Sequence, residues 1–371
     1  MTAGSVGYVA LVAQWTDERE DLLPVIERVM SSGNFIGGGE VESFERTAAE
    51  LTGSEYCVAL NSGTDALVLG LAALGVGRGH EVITPPNSFV ASTAAIVHLG
   101  ATPVFADVLA DQNIDPERIR SAITTRTKAI MPVHLTGRVA RMDSIMEIAR
   151  DAGIPVIEDA AQSIGSQFRG RPSGSFGRVG CFSAHPLKNL NACGDAGFLT
   201  TNDPEIAEFA RTARNHGLVD RYTVQKFGYV SRMDALQAAI LNFRASRLNA
   251  VSERRRENAA QYRSLLDPER VSVPQEKPWE INTYHTFVIQ CDRRDELQAY
   301  LAEHGIETAI HYPLPIHLQP AAAALGYRSG DFPVTELQAS RILTLPVHQY
   351  LSSGNVAGVA ERINCFYAKS N

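Results

Sequence analysis

Between Tyr56 and Asp159, short apolar runs alternate with helical stretches, and this alternation constrains the fold more than any other feature of the chain. The strand candidates are "YCVAL", "EVIT", "PVFADV", "KAIMPVHL" and "PVIED". The helices between them carry their own punctuation. "TDALVLGLAAL" stops at Gly75, "VASTAAIVHL" at Gly100 and "MDSIMEIARDA" at Gly153; in "IDPERIRSAI", Asp115 is placed to cap and Pro116 to open the first turn. Short apolar strands separated by helices predict a mostly parallel sheet covered on both faces, and right-handed crossovers make that an αβα sandwich.

Beyond this block, residues 234–266 read as one long helix or two abutting ones. They run from apolar to strongly charged, as expected of a helix leaving a core. "YHTFVIQ", "RDELQAYLAEHG" and "IETAIHYP" then predict a strand–helix–strand unit. The expected division is a large domain over 1–245, whose N-terminal segment can pack on the smaller domain, and a small C-terminal α/β domain over 246–371.

Composition narrows the function classes. Charged residues at 20% and apolar ones at 44% predict a packed core rather than disorder. A net charge of −7 argues against a nucleic-acid partner. There is no run of eighteen apolar residues, so no membrane span is expected, and the start lacks the pattern of a signal peptide. Five cysteines without a C-x-x-C pair read as reduced thiols, hence a cytoplasmic protein. No histidine pair has zinc-ligand spacing, so no metal is expected.

Three segments can carry chemistry. In "ALNSGTDAL" a strand end, a Ser-Gly-Thr turn and a helix start point backbone N–H groups and a helix dipole at one spot, which suits phosphate. Taken alone, a plain helix cap is the simpler reading. In "PVIEDAAQS" two acids end a buried strand, where open α/β sheets bind ligands. A desolvated Asp there needs a cation, either a protonated ring nitrogen or an arginine. In "CFSAHPLKNLNACGDAG" a single lysine, Lys188, is either solvated or a desolvated nucleophile. Together, a phosphate cradle, an acid for a ring nitrogen and an amine for an aldehyde are the requirements of pyridoxal 5'-phosphate (PLP). Phe89 in "PPNSFVAST" could cover the ring face or simply fill the core.

With these segments in order, the chain resembles the DegT/DnrJ/StrS family of nucleotide-sugar aminotransferases, which are fold type I PLP enzymes. The resemblance runs from "GNFIGGGEVESFE" through "NSGTDALVLGLAALGVGRGHEVITPPNSFVAST", "IEDAAQSIGS", "RNHG" and "SRMDALQAAIL" to "HYPLPIHLQPA" and "GDFPVTELQASRILTLPV". It implies that Lys188 forms the Schiff base, Asp159 partners the pyridine nitrogen and Gln162 sits near the phenolic oxygen. It further implies phosphate contacts from Gly63, Thr64 and Ser183, ring stacking by Phe89, and a sugar-side segment carrying Tyr312 and His317. The implied reaction moves an amino group from L-glutamate to a nucleotide-linked ketosugar in a homodimer. An unlinked ketocyclitol or keto-sugar phosphate is the alternative substrate, and a non-catalytic PLP-binding regulator the alternative class. Two departures stand out: Val230 where the family usually has an Asn that reaches the partner's cofactor phosphate, and "GDAG" where "GDGG" is usual.

Overall fold

The computed structural model describes residues 5–368. Seven strands build the main sheet: β1 (Tyr56–Leu60), β2 (Glu81–Thr84), β3 (Thr102–Phe105), β4 (Thr127–Ile130), β5 (Ile157–Asp159), β6 (Val179–Ser183) and β7 (Gly197–Thr201). Their order is β1-β7-β6-β5 in one half and β4-β2-β3 in the other. Parallel bridges Ile130–Val156 and Val133–Asp159 join the halves at β5 and β4. Only β7 runs antiparallel to its neighbours. The sheet is therefore mostly parallel, and the carboxyl ends of β1, β2, β5 and β6 open toward one edge.

Twelve α-helices accompany it: α1 (Leu11–Ser32), α2 (Gly39–Thr52), α3 (Gly63–Ala73), α4 (Val90–His98), α5 (Pro116–Ala122), α6 (Met142–Ala152), α7 (Pro204–Ala213), α8 (Ala235–Ala245), α9 (Leu248–Leu265), α10 (Arg294–Glu303), α11 (Pro333–Arg341) and α12 (Ser353–Ala368). The caps follow the sequence. Asp115 accepts from the Glu117 amide, and Gly153 closes α6 in a left-handed conformation. Apolar side chains of α3, including Leu67, Leu69 and Leu71, pack with Val58, Ile157, Val179 and Leu199 of the sheet. Burial of each such side chain contributes roughly 1.5–3 kcal/mol.

The C-terminal part departs from the sequence reading in two places. Residues 234–266 form two abutting helices, as one sequence reading had it, but the charged one does not leave the core. Tyr262 of α9 is fully buried and stacks on Phe287 at 5.0 Å in a second apolar cluster with Leu343, Val359, Ile363 and Val6. The segment "IETAIHYP" is not the third strand of the small sheet. That role falls to Ile342–Leu345, paired with Phe287–Cys291, while residues 306 and 309 make only isolated bridges. Its histidine and tyrosine instead face a cavity, and ladder pairing would have turned alternate side chains away from it. No helix among the described residues is long and apolar enough to cross a membrane.

Next to the functional edge, Glu158 fastens the fold. The side chain is fully buried, accepts from the amides of Gly174 (2.8 Å) and Gly177 (2.6 Å), and meets His134 Nε2 at 2.8 Å. His134 Nδ1 accepts from the Ala140 amide, so Nε2 carries the proton that Glu158 receives. Removing the carboxylate strands three buried donors. Glu158→Ala is expected to lose roughly 3 kcal/mol or more, seen as a lower thermal midpoint, with Glu158→Gln falling between it and the parent. A midpoint unchanged in Glu158→Ala would show that the three donors find other acceptors.

Candidate functional site

The strand ends frame a cavity of about 380 Å³ whose lining includes Gly63, Thr64, Phe89, Asp159, Gln162, Ser183, Lys188 and Tyr312. Eight of the nine residues singled out from sequence thus meet in one place. His317 does not. It is 2% exposed, bonds Glu336 at 3.1 Å through Nε2 and lies edge-on to Phe332 at 4.7 Å. Its chain neighbours Pro315 and Ile316 turn into a short 3-10 segment that carries the ring into this aromatic cluster.

At the β1–α3 junction, Ser62 caps the helix by accepting from the Asp65 amide at 3.1 Å. The Gly63 and Thr64 amides have no acceptor among the described residues and point from a helix N-terminus. Close approach makes this possible. A Cβ on Gly63 would sit 2.7 Å from Ser183 Cβ, and one on Gly197 would sit 2.3 Å from the Ser62 carbonyl carbon. Glycine at both positions lets β1, β6 and β7 converge on the turn, which brings the Ser183 hydroxyl beside the free amides.

Asp159 is 5% exposed and accepts from Ser92 Oγ at 2.6 Å and from the Ala161 amide at 3.2 Å. Burial raises its carboxyl above the usual range; the Ser92 bond, the Ala161 amide and the charge of Lys188 oppose this. No arginine approaches it among the described residues, so the arginine alternative open at the sequence level is not realised. Lys188 lies in the loop joining β6 to β7, with its amide bonded to the His185 carbonyl. Burial pulls its ammonium down to about 8, with Asp159 opposing. Phe89, 54% exposed, stands 5.8 Å from the Tyr312 ring. Gln162 Oε1 accepts from the Thr136 amide at 2.9 Å, which fixes the amide plane.

Several residues at the cavity escaped sequence reasoning. Ser92, on the first turn of α4, was one of two adjacent polar residues, with Thr93, in a buried pattern and so a detectable signal. His285 and Thr286 come from a segment read only for strand propensity, and His311 opens the segment in which only Tyr312 and His317 were singled out. Val230 is exposed, bridged through its backbone to Asn215, whose side chain accepts from Arg232.

The chain belongs to the DegT/DnrJ/EryC1/StrS aminotransferase family, whose model matches residues 16–364. It is 39% identical to a dTDP-3-amino-3,4,6-trideoxy-alpha-D-glucose transaminase of Streptomyces venezuelae, over 96% of this chain and 95% of that protein. The S. venezuelae DesV structure in complex with a ketimine intermediate superposes with a TM-score of 0.96 at 38% identity, covering 98% and 99% of the two chains. NtdA from Bacillus subtilis, with bound cofactor PMP, superposes with a TM-score of 0.92 at 31% identity, covering 100% of this chain and 86% of that one.

The cavity fits a phosphorylated pyridine aldehyde on its own chemistry. It offers unpaired amides with a hydroxyl at one end, a buried carboxylate that no arginine reaches and a desolvated amine. The amine's depressed pKa has a measurable consequence. Because the folded value lies below the usual 10.5, the unfolded chain holds the extra proton between about 8 and 10.5. The cofactor-free chain therefore gains stability from this group as pH rises through that window. Acetylation of Lys188 in the cofactor-free chain, mapped by mass spectrometry, is expected to reach half its maximal rate near pH 8. A half-point near 10.5 would mean that the amine is solvated.

Proposed function

We propose that the chain transaminates a nucleotide-linked ketosugar, with L-glutamate as amino donor and PLP as cofactor. The observation that carries this reading is the meeting of Lys188, Asp159 and the Gly63–Thr64–Ser183 cradle in one cavity. The S. venezuelae relative, named for a dTDP-linked aminosugar, supports the substrate class.

In this reading the Gly63 and Thr64 amides and the Ser183 hydroxyl hold the phosphate, Phe89 covers the ring face and Gln162 lies by the phenolic oxygen. When bound, PLP supplies a carbonyl for condensation with amines and a protonated ring that acts as electron sink. Asp159 keeps the proton on the ring nitrogen, because its buried carboxylate is stabilised by a cationic neighbour. Lys188 would anchor the cofactor through its amine and, once free, would take up and return the proton lost from the donor Cα. An amine with a pKa near 8 can both take and release that proton close to neutrality. Tyr312, at the mouth with Phe89, contacts the sugar.

The unit division that fits this reading is a cofactor-holding part over 1–245 and a smaller part over 246–371. The active assembly is a homodimer. Phe35 and Ile36 of "GNFIGGG", and Tyr222, Phe227 and Val230 nearer the chain's middle, all expose apolar surface that a second copy would cover.

Lys188→Ala is expected to fold and bind the cofactor without a covalent link. It should also lose conversion of the PLP spectrum to the pyridoxamine form by glutamate. Asp159→Asn should fold and slow that conversion by roughly a hundredfold or more. Turnover retained in Lys188→Ala would remove this amine from the mechanism, and a near-normal rate in Asp159→Asn would assign the ring nitrogen to another acid.

A further inference from the structure

Four arginines are buried among the described residues: Arg138, Arg244, Arg255 and Arg294. Three of them face a carboxylate. Arg138 meets Glu280 at 2.6 Å, Arg244 meets Glu18 at 2.8 Å and Arg294 meets Asp295 at 2.6 Å. Arg255, on α9 and 8% exposed, has none. Its Nη1 donates to the carbonyls of Tyr284 (3.0 Å) and His285 (3.2 Å), while Nε is buried without an acceptor and Nη2 has none among the described residues. A guanidinium kept from water with no counter-charge is costly. Burial draws it down only to about 10, so it remains a cation at neutral pH.

This guanidinium lines a pocket of about 80 Å³ with Tyr8, Lys188, His285, His311 and His348. The pocket shares Lys188, His285 and His311 with the main cavity but none of the phosphate-cradle residues. His285 Nδ1 is also buried without a partner. Burial and the neighbouring charges of Lys188 and Arg255 keep its ring neutral, so it can donate one proton without adding a second charge. Such a pocket takes a small planar anion with a fork of acceptors, which is the geometry of a carboxylate.

We infer that Arg255 and His285 form the site that binds a carboxylate of the amino donor beside Lys188. The inference rests on the transaminase reading above. It adds the group that holds the donor and predicts that amines without a carboxylate are poor donors.

The test begins with the unmodified chain, freed of cofactor, titrated by calorimetry with glutarate and with its neutral analogue glutaramide. Glutarate should bind and glutaramide should not. Arg255→Lys keeps the charge but loses the fork, and should weaken glutarate binding about ten- to a hundredfold. Thymidine diphosphate binding to the same variant should stay unchanged, as evidence of an intact fold. In the holoenzyme, a glutamate KM raised for Arg255→Lys together with that for alanine assigns the α-carboxylate. A rise for glutamate alone assigns the side-chain carboxylate. Equal binding of glutarate and glutaramide, or undiminished glutarate binding in Arg255→Lys, overturns the inference. If glutamate still converts the cofactor in that case, the transaminase reading stands. If glutarate binds through Arg255 but no amino acid converts the cofactor, the carboxylate site stands and the transaminase reading falls.

Discussion

Two adjacent carboxylates at the end of β5 do opposite work, and the separation comes from the pleat. Successive side chains of a strand point to opposite faces. Glu158 is turned into the protein, where two amides and His134 satisfy it. Asp159 is turned to the cavity, where only Ser92 and one amide reach it. The strand end itself is pinned on both sides. The Asp159 amide bonds the Pro132 carbonyl, the His134 amide bonds the Asp159 carbonyl, and the Ala160 amide bonds the Cys181 carbonyl. A one-residue slip would exchange the two acids and leave the cavity with a carboxylate built for structure.

The opposing amine is positioned by a different part of the chain. Lys188 lies in a loop with little regular structure, where its own backbone is held by the His185 carbonyl and the loop is held from outside. Asn191 and Gln14 form a reciprocal amide pair, at 3.0 Å in each direction, both side chains buried. Arg244 of α8 bonds the Asn191 carbonyl and is held in turn by Glu18 of α1. Asn189 reaches the Thr283 carbonyl. The first helix thus acts as a splint for the lysine loop. Such a network is costly when half satisfied, which ties the geometry of the amine to a helix almost 180 residues earlier.

The sheet was legible in the sequence because its strands obey local rules. Short apolar runs, glycine stops and the Asp115–Pro116 start all appear where those rules place them. Most of the cavity-lining residues singled out from sequence were legible for a related reason: Gly63, Thr64, Phe89, Asp159 and Ser183 sit at strand ends or helix starts, where the fold class places ligand-facing groups, whereas Lys188 and Gln162 sit in loops. The small sheet was harder. "IETAIHYP" has strand-like composition, but the strand that pairs with Phe287–Cys291 is Ile342–Leu345, which is distant in sequence. His317 was assigned to the site through its segment, and the segment turns just before it. Nothing local distinguishes a histidine aimed at a cavity from one stacked on Phe332.

The misreading of α9 has a physical lesson. A run such as "SERRRENAAQYRSLL" reads as a solvated helix because charge on a helix is normally left in water. Here one face of the helix is packed, with Leu248, Asn258, Ala259 and Tyr262 buried, and one of its arginines goes into that face without a carboxylate. Local pattern and observed burial disagree at few positions, and a sequence that specifies its fold tolerates such conflicts mainly where a ligand resolves them. Asp159, Lys188, His285 and Arg255 are all ionisable groups held out of water, and they line two adjoining cavities that share Lys188 and His285. Each alone is a destabilising feature. Together they place a buried acid, a desolvated amine, a neutral imidazole and a guanidinium without a carboxylate along two adjoining cavities.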